Sequence, residues 1–178
     1  MNKKQITFVL VVLLALAVLP YAHGTAAGSS VGDFVTVDRV NDGDTITVII
    51  NRRKEKIRMA GMDAPEMGQA YWGRMAKDHL RDIIASSSWK VRLEYDVVRR
   101  DKYGRLLAYV WTKEGKMVNA EMLAHGYAVL FTFPPNVRHV DELRAAQEQA
   151  RDRKLALWGD RGIKQAPADY RREHPREF

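Results

Sequence analysis

Every residue from Thr45 to Ile50 is β-branched, and turn signals bracket the run, Asn41-Asp42-Gly43 before it and Asn51-Arg52-Arg53-Lys54 after it. Branching at Cβ restricts the side chain in a helix but packs well on a pleated surface, so this stretch reads as a strand. Turns at both ends demand a partner on each side. Residues 34–40 supply the strand before and 56–59 the strand after, giving an antiparallel meander.

The period changes between Gln69 and Ser88, where Ala76, Leu80, Ile83 and Ile84 fall on one stripe and Lys77, Arg81 and Asp82 fall off it. That spacing predicts an amphipathic helix packed on the sheet. Val91, Leu93 and Tyr95 alternate with Arg92 and Glu94, the signature of a fourth strand with one buried face, and residues 106–111 form a fifth after the Tyr103-Gly104 turn. A short helix is expected over 118–125, stopped by Gly126, and a long one over 140–157. Short strands with a helix inserted after the third predict an α+β fold, a five-stranded barrel of the OB-fold type with three helices.

Lys3 and Lys4 precede an apolar stretch, residues 6–19, followed by Pro20 and small residues. The stretch is shorter than the ~20 residues a spanning helix needs, so residues 1–27 read as a secretory signal peptide, with an uncleaved membrane anchor as the alternative. The folded part is then expected outside the cytoplasm. A single domain is expected over 33–160, and residues 161–178, rich in Pro and Arg and poor in apolar side chains, read as a disordered basic tail. There is no cysteine, which excludes a lipoprotein anchor, disulfide staples, thiolate nucleophiles and cysteine-based zinc sites. The formal charge of +7 suits a polyanionic partner.

Chemistry concentrates in clusters. Asp44 follows the first turn and Asp63 follows the third strand, so a twisted meander can bring both carboxylates to one end of the sheet. Paired carboxylates repel unless a cation lies between them, and oxygen ligands completed by the backbone carbonyl near Ala64 suit Ca²⁺ or Mg²⁺. Taken alone, each acidic segment is also explained by turn or helix-start chemistry. Glu66, close to these ligands but not needed as one, is placed to take a proton from water. Arg58 and Arg105 carry planar guanidinium forks that match the oxygens of a phosphodiester as charge builds on them. Lys102 and Tyr103 occupy a turn from which a neighbouring phosphate or sugar is in reach. Phe131 and Phe133, alternating along an extended segment, serve either as a platform for bases or as core.

The ordered set Asp-Gly-Asp-Thr (42–45), Arg58, Asp63-Ala64-Pro65-Glu66, Asp101-Lys102-Tyr103-Gly104-Arg105, Leu107-Ala108-Tyr109, Gly115-Lys116-Met117-Val118-Asn119 and Leu157-Trp158 resembles the staphylococcal nuclease (thermonuclease) family over 34–158. The resemblance implies a five-stranded OB-fold barrel with three helices and Ca²⁺-dependent cleavage of single-stranded DNA and RNA to leave 3′-phosphate ends. It implies Asp44, Asp63 and the Ala64 carbonyl as metal ligands, Glu66 as the activator of water and Arg58 and Arg105 as the phosphate clamp. Lys102 and Tyr103 then approach the adjacent phosphate, and Phe131 and Phe133 face the bases. Two positions depart from the best-known members, which have Thr at the place of Ala64 and a tyrosine pair at the places of Phe131 and Phe133. The protein is thus expected to be a secreted, monomeric metal-dependent phosphodiesterase with no protein partner. The alternative is a non-catalytic nucleic-acid-binding module on the same barrel.

Overall fold

The computed structural model describes residues 33–175, so the expected export segment lies outside the described residues. Strands β1 (Val35–Val40), β2 (Thr45–Ile50) and β3 (Arg53–Met59) form the expected antiparallel meander. The β2–β3 turn places Asn51 at φ 49° and Arg52 at φ 63°, with Ile50 paired to Arg53. Positive φ at both central positions is what a two-residue hairpin requires to match the twist of its strands.

The remaining strands of the barrel are β5 (Lys90–Glu94) and β6 (Leu106–Trp111), while β4 (Met62–Asp63) and β7 (Val129–Leu130) pair with each other in a separate two-stranded sheet. The barrel closes in the order β1-β2-β3-β6-β5, with β3 and β6 the one parallel pair in that order. This is the expected five-stranded OB-type α+β barrel. Ile46, Val48, Ile57, Met59, Val91, Ala108 and Val110 fill its interior, each almost wholly buried. Thr45 and Thr47 are buried too, and their hydroxyls donate to Asp44 Oδ1 (2.9 Å) and Asn41 Oδ1 (2.8 Å). Those bonds allow polar atoms inside without an unpaired group.

Helix α1 (Trp72–Ser86) buries Ala76, Leu80 and Ile84 of the anticipated stripe, with Ile83 partly buried and Gly73 added to the buried face. Helix α2 (Val118–Ala124) ends at Gly126, whose φ of 75° lets Gly126 N–H and Tyr127 N–H turn back onto Leu123 O and Met122 O. Asn119, fully buried, holds two elements together: its Oδ1 accepts from Val110 N–H and its Nδ2 donates to Ala60 O, both at 2.8 Å. Helix α3 (Val140–Asp152) is shorter than its expected run to 157, because Lys154 and Ala156 take positive φ and the chain turns into a 3₁₀ segment, Ala156–Trp158.

The expected disordered tail differs from what is found. Helix α4 (Pro167–Glu173) forms there, with proline in its first turn, Asp169 near its start and Arg171 and Arg172 in its last turn. These end signals match the helix dipole, but α4 buries only Pro167. Composition pointed to disorder because the segment has almost no apolar stripe; polar and aromatic contacts to the loop before α1 seat it instead. Gln69 Nε2 donates to Gln165 O (3.1 Å), Tyr71 Oη to Arg161 O (3.4 Å), and Tyr170 lies against Gly68.

Candidate active site

Gly43 is the reason the two acidic segments can meet. A Cβ built there would lie 2.7 Å from Ala64 Cβ and 2.8 Å from Ala76 Cβ, so only hydrogen lets the β1–β2 turn press against both α1 and the segment after β4. That contact carries Asp44 to Ala64, whose N–H donates to Asp44 Oδ2 at 3.0 Å. Pairing of β4 with β7 fixes Asp63, opposite Val129.

Arg58, at the end of β3, joins the two carboxylates. Its Nη1 lies 2.7 Å from Asp44 Oδ2 and 3.1 Å from Met62 O, and its Nη2 lies 2.7 Å from Asp63 Oδ1. Asp44 is 7% exposed and Asp63 1%, so these charges are sheltered from water and their pairing is not a screened surface contact. Glu66, on the loop leading to α1, has its backbone N–H held by Gln69 Oε1 at 2.9 Å. Four of the expected site residues, Asp44, Arg58, Asp63 and Glu66, therefore converge, together with the Ala64 backbone.

The residue that sequence reading missed is Arg171 of α4. Its Nη2 donates to Asp63 Oδ2 (2.8 Å), and its Nη1 donates to both Asp63 Oδ1 (2.9 Å) and Glu66 Oε1 (3.0 Å). The hydrogen bonds to Asp63, more than any other influence, raise its pKa above that of an ordinary guanidinium. The one available signal was the acid-first, base-last pattern of residues 167–173, with proline at the start.

Arg105 is placed on the approach to β6, one residue before the Leu106 that pairs with Ile57 next to Arg58. Its Nε donates to Asp101 Oδ2 at 2.7 Å, and its guanidinium carbon lies 5.5 Å from the Tyr103 ring centroid. Lys102 Nζ covers the same ring at 5.1 Å. Lys102, Tyr103 and Arg105 thus form a cationic and aromatic group on a neighbouring turn. Phe131 and Phe133 are 42% and 59% exposed, which removes the core reading and leaves them as a surface aromatic pair.

Asp42 adds further negative charge. Its Oδ1 accepts from Asp44 N–H at 3.1 Å, and burial, followed by the charge of Asp44, pushes its pKa up to about 6. Acidic side chains at this end of the barrel, Asp42, Asp44, Asp63 and Glu66, outnumber the guanidinium groups of Arg58 and Arg171 that pair with them. Among the described residues no three His, Asp or Glu side chains form a ready-made metal cage. A cation here would draw on Asp44, Asp63, a backbone carbonyl and water, a hard-oxygen set that suits Ca²⁺ or Mg²⁺. The donor chemistry fits, and guanidinium groups hold the carboxylates that such an ion would use.

Residues 56–160 match the family model described as staphylococcal nuclease homologue. The chain belongs to the staphylococcal nuclease family. It is similar to the endonuclease YncB of Bacillus subtilis, 38% identical over 135 residues that make up 72% of this chain and 63% of that protein. A second Bacillus subtilis protein, the SPbeta prophage-derived endonuclease YokF, is 36% identical over 72% of this chain and 45% of its own length. The chain thus spans less than two thirds of either Bacillus relative. The thermonuclease of Staphylococcus intermedius is 33% identical over 168 residues, 88% of this chain and 98% of that protein. Within the staphylococcal nuclease family match fall Arg58, Asp63, Glu66 and Arg105, whereas Asp44 and Arg171 lie outside residues 56–160.

Proposed function

We propose that this chain is a secreted, monomeric, Ca²⁺-dependent nuclease that hydrolyses phosphodiester bonds of single-stranded DNA and RNA and leaves 3′-phosphate ends. The observation that carries the reading is the bridge from Asp44 through Arg58 to Asp63, 2.7 Å on each side, with Glu66 on the adjoining loop. Family membership and relatives named endonuclease and thermonuclease support it. The export-signal pattern of residues 1–27 supports secretion.

Asp44, Asp63 and the Ala64 carbonyl are the residues that would hold the metal. A divalent cation bound there supplies charge neutralisation on the phosphate and makes nearby water more acidic. The rest of the chemistry belongs to side chains. Glu66 accepts the proton of the attacking water as its oxygen bonds to phosphorus and the bond to the 5′ oxygen breaks, and the departing 5′ oxygen takes a proton from solvent to leave as a hydroxyl. Arg58 and Arg105 offer N–H pairs to the equatorial oxygens, where charge builds in the transition state. For this, Arg105 exchanges its Asp101 contact for phosphate. Lys102 and Tyr103 hold the neighbouring phosphate, and Phe131 and Phe133 stack on bases to orient the strand.

The test is digestion of an end-labelled single-stranded oligomer with Ca²⁺, with Mg²⁺ and with chelator. Cleavage with Ca²⁺ that stops on chelation, with products carrying a 3′-phosphate, is the expected result. Retention of the oligomer without cleavage would make the chain a binding module.

A further inference from the structure

Arg171 does two things to the candidate centre at once. It occupies both oxygens of Asp63 and one oxygen of Glu66, at 2.8–3.0 Å. Asp63 Oδ1 accepts from Arg58 as well, so the carboxylate proposed as a metal ligand already receives three N–H bonds from two guanidinium groups. An oxygen carrying those donors offers little to a metal ion. A metal ion bonded to Asp63 would also stand beside a guanidinium of like sign inside a poorly solvated site.

We infer that Arg171, delivered by α4, is an intramolecular competitor for the divalent cation at Asp63 and Glu66, so that α4 docking and metal loading exclude each other. The inference rests on the metal-dependent reading above and goes beyond it, since it assigns a role to a segment outside the family match. The way α4 is held favours release. Its only buried residue is Pro167, and apart from the Arg171 hydrogen bonds themselves its seat consists of two hydrogen bonds from Gln69 and Tyr71 to the loop preceding it together with the Tyr170 contact at Gly68. An element with so little apolar burial opens locally at small cost. Arg171 itself is 37% exposed, so part of its side chain already faces solvent. In the docked state the same guanidinium engages Glu66, which ties the proton acceptor as well as the ligand. Lifting α4 takes Arg171 off both carboxylates in one movement, leaving Asp63 Oδ1 on Arg58, and a metal ion at Asp63 favours the lifted state by repulsion.

Calcium chloride titrated calorimetrically into the purified chain and into Arg171→Gln measures the competition without any turnover. Competition predicts about tenfold tighter Ca²⁺ binding in Arg171→Gln, with Arg171→Lys between the two because lysine keeps the charge but not the fork. In the unsubstituted protein, saturating Ca²⁺ should speed hydrogen exchange of the 167–173 amides. Equal or weaker Ca²⁺ binding in Arg171→Gln, or slower α4 exchange on adding Ca²⁺, overturns the inference. Asp63→Asn separates the two levels. If it abolishes Ca²⁺ binding while Arg171→Gln binds as the parent does, only the competition falls. If neither the parent nor Arg171→Gln takes up Ca²⁺, the metal reading falls with it.

Discussion

Arg58 Nη2 and Asp63 Oδ1 lie 2.7 Å apart, with the aspartate 1% exposed, and the other arm of the same guanidinium reaches Asp44. A planar fork is what allows one side chain to serve both carboxylates, and in the proposed mechanism its remaining edge faces a phosphate. Arg58→Lys keeps the charge and loses the fork. Turnover on single-stranded DNA should fall about 10²–10³-fold, with the far-ultraviolet circular dichroism of the barrel retained. A variant as fast as the parent would take Arg58 out of the phosphate clamp.

Glu66→Gln keeps an oxygen able to accept from Arg171 and removes the ability to take a proton. The expected loss in single-turnover cleavage is about 10²–10⁴-fold, the range for a positioned general base. Binding of an uncleaved oligomer should stay close to that of the parent. An unchanged cleavage rate would assign water activation elsewhere.

Phe131 and Phe133 project from the surface, so replacing both with alanine should leave the melting temperature nearly unchanged. Stacking on aromatic rings contributes about 1–3 kcal/mol per base, so single-strand affinity measured by anisotropy at fixed salt should drop tenfold or more, and turnover at saturation should change little. Unaltered affinity would leave these rings without a role in binding.

His79 provides a pH test remote from the acidic cluster. Its ring stacks on Tyr127 at 4.4 Å and lies 4.9 Å from His125, and its buried Nε2 has no hydrogen-bond partner among the described residues. Burial, then the charge of His125, lowers its pKa from 6.5, against opposing pulls from Asp82 and Glu121. A histidine held neutral in the fold takes up its proton more readily in the unfolded chain. Its contribution to stability is therefore present above the unfolded value of 6.5 and lost as pH falls through the lowered folded value. Urea midpoints at about pH 8 and about pH 5 should differ less in His79→Phe than in the parent. An equal difference in both proteins would place the acid sensitivity at other groups.

Much of the frame was legible because it is local. The β-branched run of β2, the alternation in β5 and the helical stripe of α1 each declare themselves within a few residues, and turn chemistry joins them. Strand limits moved where the turn geometry decided them, as at Asn51 and Arg52, where the hairpin is two residues long and β3 begins at Arg53. Asp44, Asp63 and Glu66 could be singled out because acidic residues beside turns and loop starts stand out against that pattern. Phe131 and Phe133 could not be assigned from spacing, because alternating aromatics look the same whether the face they occupy is covered or open. Their exposure shows that this face is open.

By itself, then, the order of residues determined the barrel strands, the barrel-packed helix and the identity of the acidic and basic groups, since propensity and period act between near neighbours along the chain. Tertiary structure alone decided which groups touch. The close approach at Gly43 brings Asp44 and Ala64 together, and the parallel closure of β3 on β6 sets Arg105 one residue before the Leu106 that pairs with Ile57, next to Arg58. The second guanidinium seated on Asp63, that of Arg171, comes from a residue 108 positions away. Such a contact depends on surfaces that exist only after the barrel has formed, and a short helix with one buried residue leaves no periodic trace of where it will dock.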